Sequence, residues 1–156
     1  MAKKSKDKSI FISNRKARFE YELLEVFTAG IQLQGTEIKS LRAGNANLAE
    51  AYCYVHKSEV WITGMYIAEY QYGSYMNHEP KRLRKLLLNK KEINKISSAL
   101  QNVGITLVPL KLYISDKGWA KIEISLAKGK KLHDKREDIK QKDDKRQMDR
   151  ALKKFK

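Results

Sequence analysis

ITLVPLKLY (105–113), SDKG (115–118) and WAKIEISLA (119–127) decide the fold. β-branched and aromatic residues crowd both runs, and Trp119, Ile122, Ile124 and Leu126 alternate with charged or small residues after one slip. A period of two sends successive side chains to opposite faces of a strand, and a polar, Gly-containing turn between two such runs predicts a β-hairpin. Upstream, Ile93, Ile96 and Leu100 recur at i, i+3 and i+7, which predicts a helix from Lys90 to Val103 with Gly104 as its terminator. Its apolar face is expected to close one end of the sheet.

EYQYGSYMNHEP (69–80), broken by Gly73 and Pro80, reads as an exposed loop. AYCYV (51–55) and VWITGMYIA (60–68) read as strands joined through HKSE in a short hairpin. Gly35-Thr36-Glu37 starts a helix of about two turns, with Thr36 as N-cap, Glu37 in the first turn, Ile38 and Leu41 on one face and Gly44 as the stop. From Phe19 to Gln34 the chain mixes β-formers with polar residues as two strands or one long bent one, Ile31 and Leu33 inward, Gln32 and Gln34 toward water. About six strands and two inserted helices with short connections predict a mainly β fold, a small antiparallel oligonucleotide-binding-type (OB-like) β-barrel.

The chain's 156 residues suffice for one domain and an appendage. Residues 1–13, rich in Lys and Ser, are expected to be a flexible basic arm, 14–127 the folded body, and 128–156 a basic C-terminal tail. In that tail half or more of the residues are charged, so no core can form. It has one Gly, no Pro and opposite charges at i,i+4 in Asp138/Lys142 and Asp149/Lys153, which predicts a segment disordered alone and helical on a partner. No run approaches the roughly 20 apolar residues of a membrane span, and the N-terminus has no signal-like apolar run, so a cytoplasmic protein without membrane contact is expected. The single Cys53 agrees, since it can make no internal disulfide and no cysteine-based metal cage.

Lys and Arg number 33 against 18 Asp and Glu, a net charge of +15. Such an excess calls for a polyanionic partner. It is concentrated at the ends: +6 over 1–18, +2 over 19–126 and +7 over 127–156. KRLRKLLLNKKEINK (81–95), with seven basic residues and one acid, adds a patch on the body. Cations of this kind neutralise phosphates, and Phe19, Tyr66, Tyr70 and Tyr75 are candidates for stacking on unpaired bases, so structured RNA is the expected partner.

Chemistry beyond binding has little support. His56, His78 and His133 stand far apart without ligand spacing, so no metal or other cofactor is expected. No Gly-rich loop has P-loop spacing. Glu20, Glu22 and Glu25 crowd one strand region, where pairing with Arg15 and Arg18 is the simpler role than catalysis, and no enzyme is called for. KGKKLHDKRE (128–137) gathers cations around His133, either as a solubilising tail or as an RNA-seeking segment. A general structured-RNA binder, a structural ribosome-associated protein and an RNA-processing enzyme using Glu20, Glu22 or His133 are the competing readings.

NRKARFEY (14–21), AGIQLQGTEIKSLRAGNANL (29–48), RKLLLNKKEI (84–93), TLVPLKLY (106–113) and AKGKKLHDKRE (127–137), in this order, resemble the small protein B family, the bacterial tmRNA-binding proteins. The resemblance implies an OB-type barrel that clamps the tRNA-like domain of tmRNA. It further implies delivery of aminoacylated tmRNA, with elongation factor Tu, to the empty A site of a stalled ribosome, the tail turning helical in the mRNA channel so that the nascent chain is tagged. Leu87, Asn89 and Lys121 match tmRNA-binding positions of the family; Thr28 stands where it usually has glutamate, and Phe19 where histidine is common. Within the same stretches Arg15, Arg18, Arg84 and Lys128 are further RNA-binding candidates, while Glu37 and Lys39 are candidates for RNA contact or for shaping the fold. Gly129, Lys130, Lys131, His133, Asp134, Lys135 and Arg136 fall in the segment implied to monitor the small-subunit decoding centre.

Overall fold

The computed structural model of the chain describes residues 11–73 and 75–154, with backbone alone for 132–134. In chain order the elements are β1 (Phe11–Ser13), α1 (Arg15–Glu20), β2 (Tyr21–Ile31), α2 (Gly35–Arg42), β3 (Ala46–Asn47), β4 (Tyr52–His56), β5 (Glu59–Thr63), β6 (Tyr66–Ile67), β7 (Arg84–Leu87), α3 (Lys90–Leu100), β8 (Ile105–Ile114), β9 (Ala120–Gly129) and α4 (Leu132–Lys154). The expected hairpin is β8–β9, paired from Ile105↔Lys128 to Ile114↔Ala120. Pro109 has no N–H to give to a ladder, and the register slips between Pro109 and Lys111.

Every pairing is antiparallel, in the order β1-β8-β4-β5-β7-β2-β9, and β9 pairs back onto β8. Strands β8, β4, β5, β7, β2 and β9 are therefore linked in a closed circuit of pairings, with β1 on its edge beside β8. Alternate residues point into it: Phe27, Ala29 and Ile31 from β2, Ile62 from β5, Leu86 from β7, Leu112 from β8, and Ile122 and Ile124 from β9. Removing this apolar area from water stabilises the fold by about 25 cal/mol per Å². Ile96 of α3 is wholly buried and Ile93 and Leu100 pack beside it, as their spacing predicts. Outside the circuit α1 covers a second small core of Ala17, Val108, Leu110 and Ala127.

Several local expectations are corrected. Phe19 and Glu20, expected to open the strand, end the helix α1 instead, which Asn14 caps through Oδ1 accepting from the Ala17 N–H at 3.2 Å; β2 then runs as one strand with a slip between Leu23 and Glu25. Thr36 does not cap α2; Gln34 occupies that position without a side-chain bond, and the Thr36 hydroxyl is 2.8 Å from His78 Nδ1. The 60–68 run is two strands, broken at Gly64, where φ is +74° and a Cβ would stand 2.3 Å from the Glu50 carbonyl oxygen. β6 then leaves for a two-stranded pairing with β3. α3 ends at Leu100, three residues before Val103.

The expected boundaries shift as well. Phe11–Ser13, assigned to the arm, pair with Tyr113, Leu112 and Lys111, and Lys128 and Gly129, assigned to the tail, pair with Glu22 and Tyr21. The rest of the arm, residues 1–10, lies outside the described residues. α4, from Leu132 to Lys154, gives the tail the helical conformation expected of it on a partner. Two contacts hold it to the body: Lys130, just after β9, is ion-paired with Asp138, and Lys142 Nζ lies 5.9 Å from the ring of Phe19 on α1. Asp138 thus faces Lys130 rather than Lys142. Among the described residues no helix is long and apolar enough to cross a membrane.

Candidate nucleic-acid interface

The sheet register gathers part of the expected site into one row. Gly30 of β2 lies opposite Leu87 of β7 on one side and Lys121 of β9 on the other. Their neighbours Leu86, Ala29, Ile31 and Ile122 are buried, so the row points outward, and Leu87 is 47 % exposed. Thr28, exposed, is one pleat along and opposite Glu123. Asn89 follows two residues after Leu87 and caps α3, its Oδ1 accepting from the Glu92 N–H at 2.9 Å.

Other candidates gather at the opposite end of the same strands. Arg15, Arg18 and Phe19 lie on α1, and the Lys130 N–H donates to the Glu20 carbonyl at 2.9 Å while its ammonium reaches the Arg18 carbonyl at 3.3 Å. Lys128 and Gly129 end β9, and Lys131 and Arg136 are exposed beside Lys135. The side chains of His133 and Asp134 lie outside the described residues. Lys121 and Gly129 are eight residues apart on β9, roughly 26 Å at about 3.3 Å per residue. The candidates thus form two groups, and Arg15, Arg18, Phe19 and Lys128, expected to bind tmRNA, stand in the group with the tail residues.

Two candidates are removed from any RNA surface. Glu37 and Arg84 are both 0 % exposed and are ion-paired at 3.1 Å. Glu37 also takes a two-pronged bond from Arg82, at 2.7 and 3.2 Å, while Arg84 donates to the carbonyls of Met65, Pro80 and Arg82. Burial pushes the Glu37 carboxyl up, yet the bonds and charges of Arg82 and Arg84 outweigh it and hold the group below its ordinary value of 4.5. Burial pulls the Arg84 guanidinium down, and Glu37 partly offsets that. Of the two roles open to Glu37, shaping the fold is the one its burial allows. Lys39 is exposed, 5.2 Å above the Tyr70 ring.

The 81–95 patch is correspondingly thinner than its sequence suggests. Arg82 and Arg84 pair with Glu37, Lys85 with Glu59 at 2.9 Å and Lys95 with Glu25 at 2.5 Å, so its exposed cations are Lys81, Lys90, Lys91 and the ion-paired Lys95. Glu25 is thereby tied to α3 rather than to Arg15 or Arg18. His56 is exposed, whereas His78 is buried between Thr36 and the Ile67 carbonyl. Among the described residues no three His, Cys, Asp or Glu side chains are grouped to hold a metal. Tyr75 is almost fully exposed, Tyr66 and Tyr72 are exposed, and Phe19 is half-buried. Phe11, Lys111 and Tyr113, which sequence reasoning passed over, share the outward face with Lys121; the period-two alternation of β8 was the signal for Lys111 and Tyr113.

Comparison with known proteins converges on one family. The family model described as "SmpB protein" matches residues 11–154. The SsrA-binding protein of Phocaeicola vulgatus is 56 % identical over 92 % of this chain and 96 % of its own, and that of Bacteroides thetaiotaomicron 55 % over 95 % and 99 %. A solved structure described as "tmRNA-SmpB: a journey to the center of the bacterial ribosome" contains a similar chain, with a TM-score of 0.67 and 45 % identity over 79 % of this chain and 86 % of that one. With the outward row and the basic ends already in place, these matches show that the chain belongs to the SmpB protein family.

Proposed function

We propose that the chain is an RNA-binding adaptor that holds the tRNA-like domain of tmRNA and delivers it to stalled ribosomes for trans-translation. The observation that carries this is the outward row Leu87–Gly30–Lys121, an apolar ledge, a bare backbone and a cation in register across three strands. A cation there neutralises phosphate, and a glycine without a side chain admits close approach of a nucleotide. Family membership supplies the identity of the RNA. On this reading the closed circuit of strands is an OB-type barrel in a cytoplasmic protein, and elongation factor Tu arrives through the aminoacylated tmRNA. The basic segment from Gly129 to Arg136, His133 included, addresses the decoding centre, with α4 in the mRNA channel. The roughly 26 Å between Lys121 and Gly129 lets one molecule hold tmRNA while its tail reaches another surface.

The test is a titration of the full chain, and of a chain ending at Lys131, with tmRNA and an unrelated RNA of equal length at two salt concentrations. Ending at Lys131 spares β9, which a cut after Leu126 would shorten by Ala127, Lys128 and Gly129. Both forms are expected to prefer tmRNA by tenfold or more, about 1.4 kcal/mol. Affinity that tracks salt alone, without preference, would make the protein a general polyanion binder.

A further inference from the structure

The row does not stop at Lys121. Tyr113 of β8 is paired with Lys121, and Phe11 of β1 is paired with Tyr113, so Leu87, Gly30, Lys121, Tyr113 and Phe11 stand side by side across five strands. At about 4.8 Å between strands the row is roughly 19 Å long, enough to underlie a few nucleotides. Their partners in alternation, Leu112 and Ile122, are fully buried, which puts Tyr113 and Phe11 on the outer face.

Phe11 is 55 % exposed, whereas Ile12 beside it on the short strand β1 packs against the core. Lys111, one pleat along on β8, holds its ammonium 4.6 Å from the Phe11 ring centre and 5.2 Å from that of Tyr113. One cation thus lies within cation–π range of both rings. The same lysine is only 4.0 Å from a Glu123 carboxylate oxygen, a long contact that neutralises it weakly. Rings on a sheet surface, with lysines at 111 and 121, are the elements of a base-stacking platform: π-faces for bases and cations for the phosphates between them.

We propose that Phe11, Lys111 and Tyr113 form a stacking subsite for unpaired RNA nucleotides, continuing the row beyond Lys121. The subsite deepens the tmRNA-binding reading and rests on it for the identity of the natural RNA. Its own chemistry asks only for single-stranded nucleotides.

The experiment uses the full chain and two probes, tmRNA and a single-stranded hexaadenylate carrying one 4-thiouridine. Phe11→Leu and Tyr113→Leu keep apolar bulk and remove the π-face; each is expected to weaken hexaadenylate binding by about tenfold. Phe11→Trp should bind as well as the parent. Thermal melting checks that the variants fold. Photocrosslinking of the unaltered protein gives a readout independent of any variant, and the crosslinked peptide is expected to contain residue 11 or 113. Unchanged hexaadenylate affinity in folded Phe11→Leu and Tyr113→Leu, or crosslinks confined to other segments, would overturn the subsite. A parent protein that binds tmRNA no better than an unrelated RNA, yet loses hexaadenylate binding in both leucine variants, would instead sink the tmRNA reading and leave the subsite standing.

Discussion

Gly30 and Leu87 face each other across β2 and β7 so closely that a Cβ on residue 30 would stand 3.3 Å from the Cβ of Leu87. Cross-strand Cβ atoms are normally about 4.5–5.5 Å apart, so the bare position lets β7 draw in and leaves Leu87 as a ledge beside it. Gly30→Ala is therefore expected to crowd Leu87, and Leu87→Gly, which removes the Cβ it meets, to relieve the crowding. In a double-mutant cycle read by urea unfolding, the pair should be more stable than the sum of the singles by about 0.5–1 kcal/mol. Strict additivity would show that the two side chains do not press on one another.

Glu37 binds two guanidinium groups in the interior. Removing one partner of a buried pair leaves charge uncompensated, and Glu37→Gln should destabilise by about 3 kcal/mol near neutral pH. Because the folded carboxyl is held below 4.5, its contribution is present above that value and is lost as pH falls through the lower folded one. Unfolding free energies measured over a pH series should therefore show parent and variant converging in acid. A gap that stays constant from neutral to strongly acidic pH would contradict this.

Asn89 is at once a candidate RNA contact and the cap of α3. Asn89→Ala should cost about 1 kcal/mol of stability, more than an ordinary surface change. Asn89→Asp keeps an accepting oxygen and should hold the melting temperature near that of the parent while adding a negative charge at the RNA face. Loss of tmRNA affinity in the folded aspartate variant would separate contact from cap, and unchanged affinity would leave Asn89 a cap alone.

Burial pushes the Cys53 thiol above its ordinary value of 9.0. The thiolate is the reactive form, so a thiol reagent should label native protein slowly and denatured protein at once. Rapid labelling of the folded chain would mean that β4 opens readily.

Local pattern carried a large share of the fold. The alternation at Ile122, Ile124 and Leu126 specified the β8–β9 hairpin, and the spacing of Ile93, Ile96 and Leu100 specified α3, because a side chain's face in a regular element depends only on its neighbours. The expectation failed at Thr36, at Phe19 and Glu20 and at the split of 60–68; a distant partner or a bare backbone decided two of these, His78 for Thr36 and the Glu50 carbonyl for Gly64. Leu87 and Lys121, named as candidates from the family's motifs, stand in one outward row on either side of Gly30. Arg84 was misassigned because its motif neighbours are indistinguishable from a solvated basic run.

By itself the sequence determined the mainly β character, the basic ends, the positions of the chief elements and the family, all of which depend on composition and on residues a few positions apart. Only the tertiary structure decided which cations are free: Arg84 meets Glu37 across 47 residues and Lys95 meets Glu25 across 70. It also decided that Leu87, Gly30, Lys121, Tyr113 and Phe11 share one row. Strand register and buried ion pairing are set by the packing of distant segments around a common core, and a charged side chain's role follows from whether that packing covers it or leaves it in water.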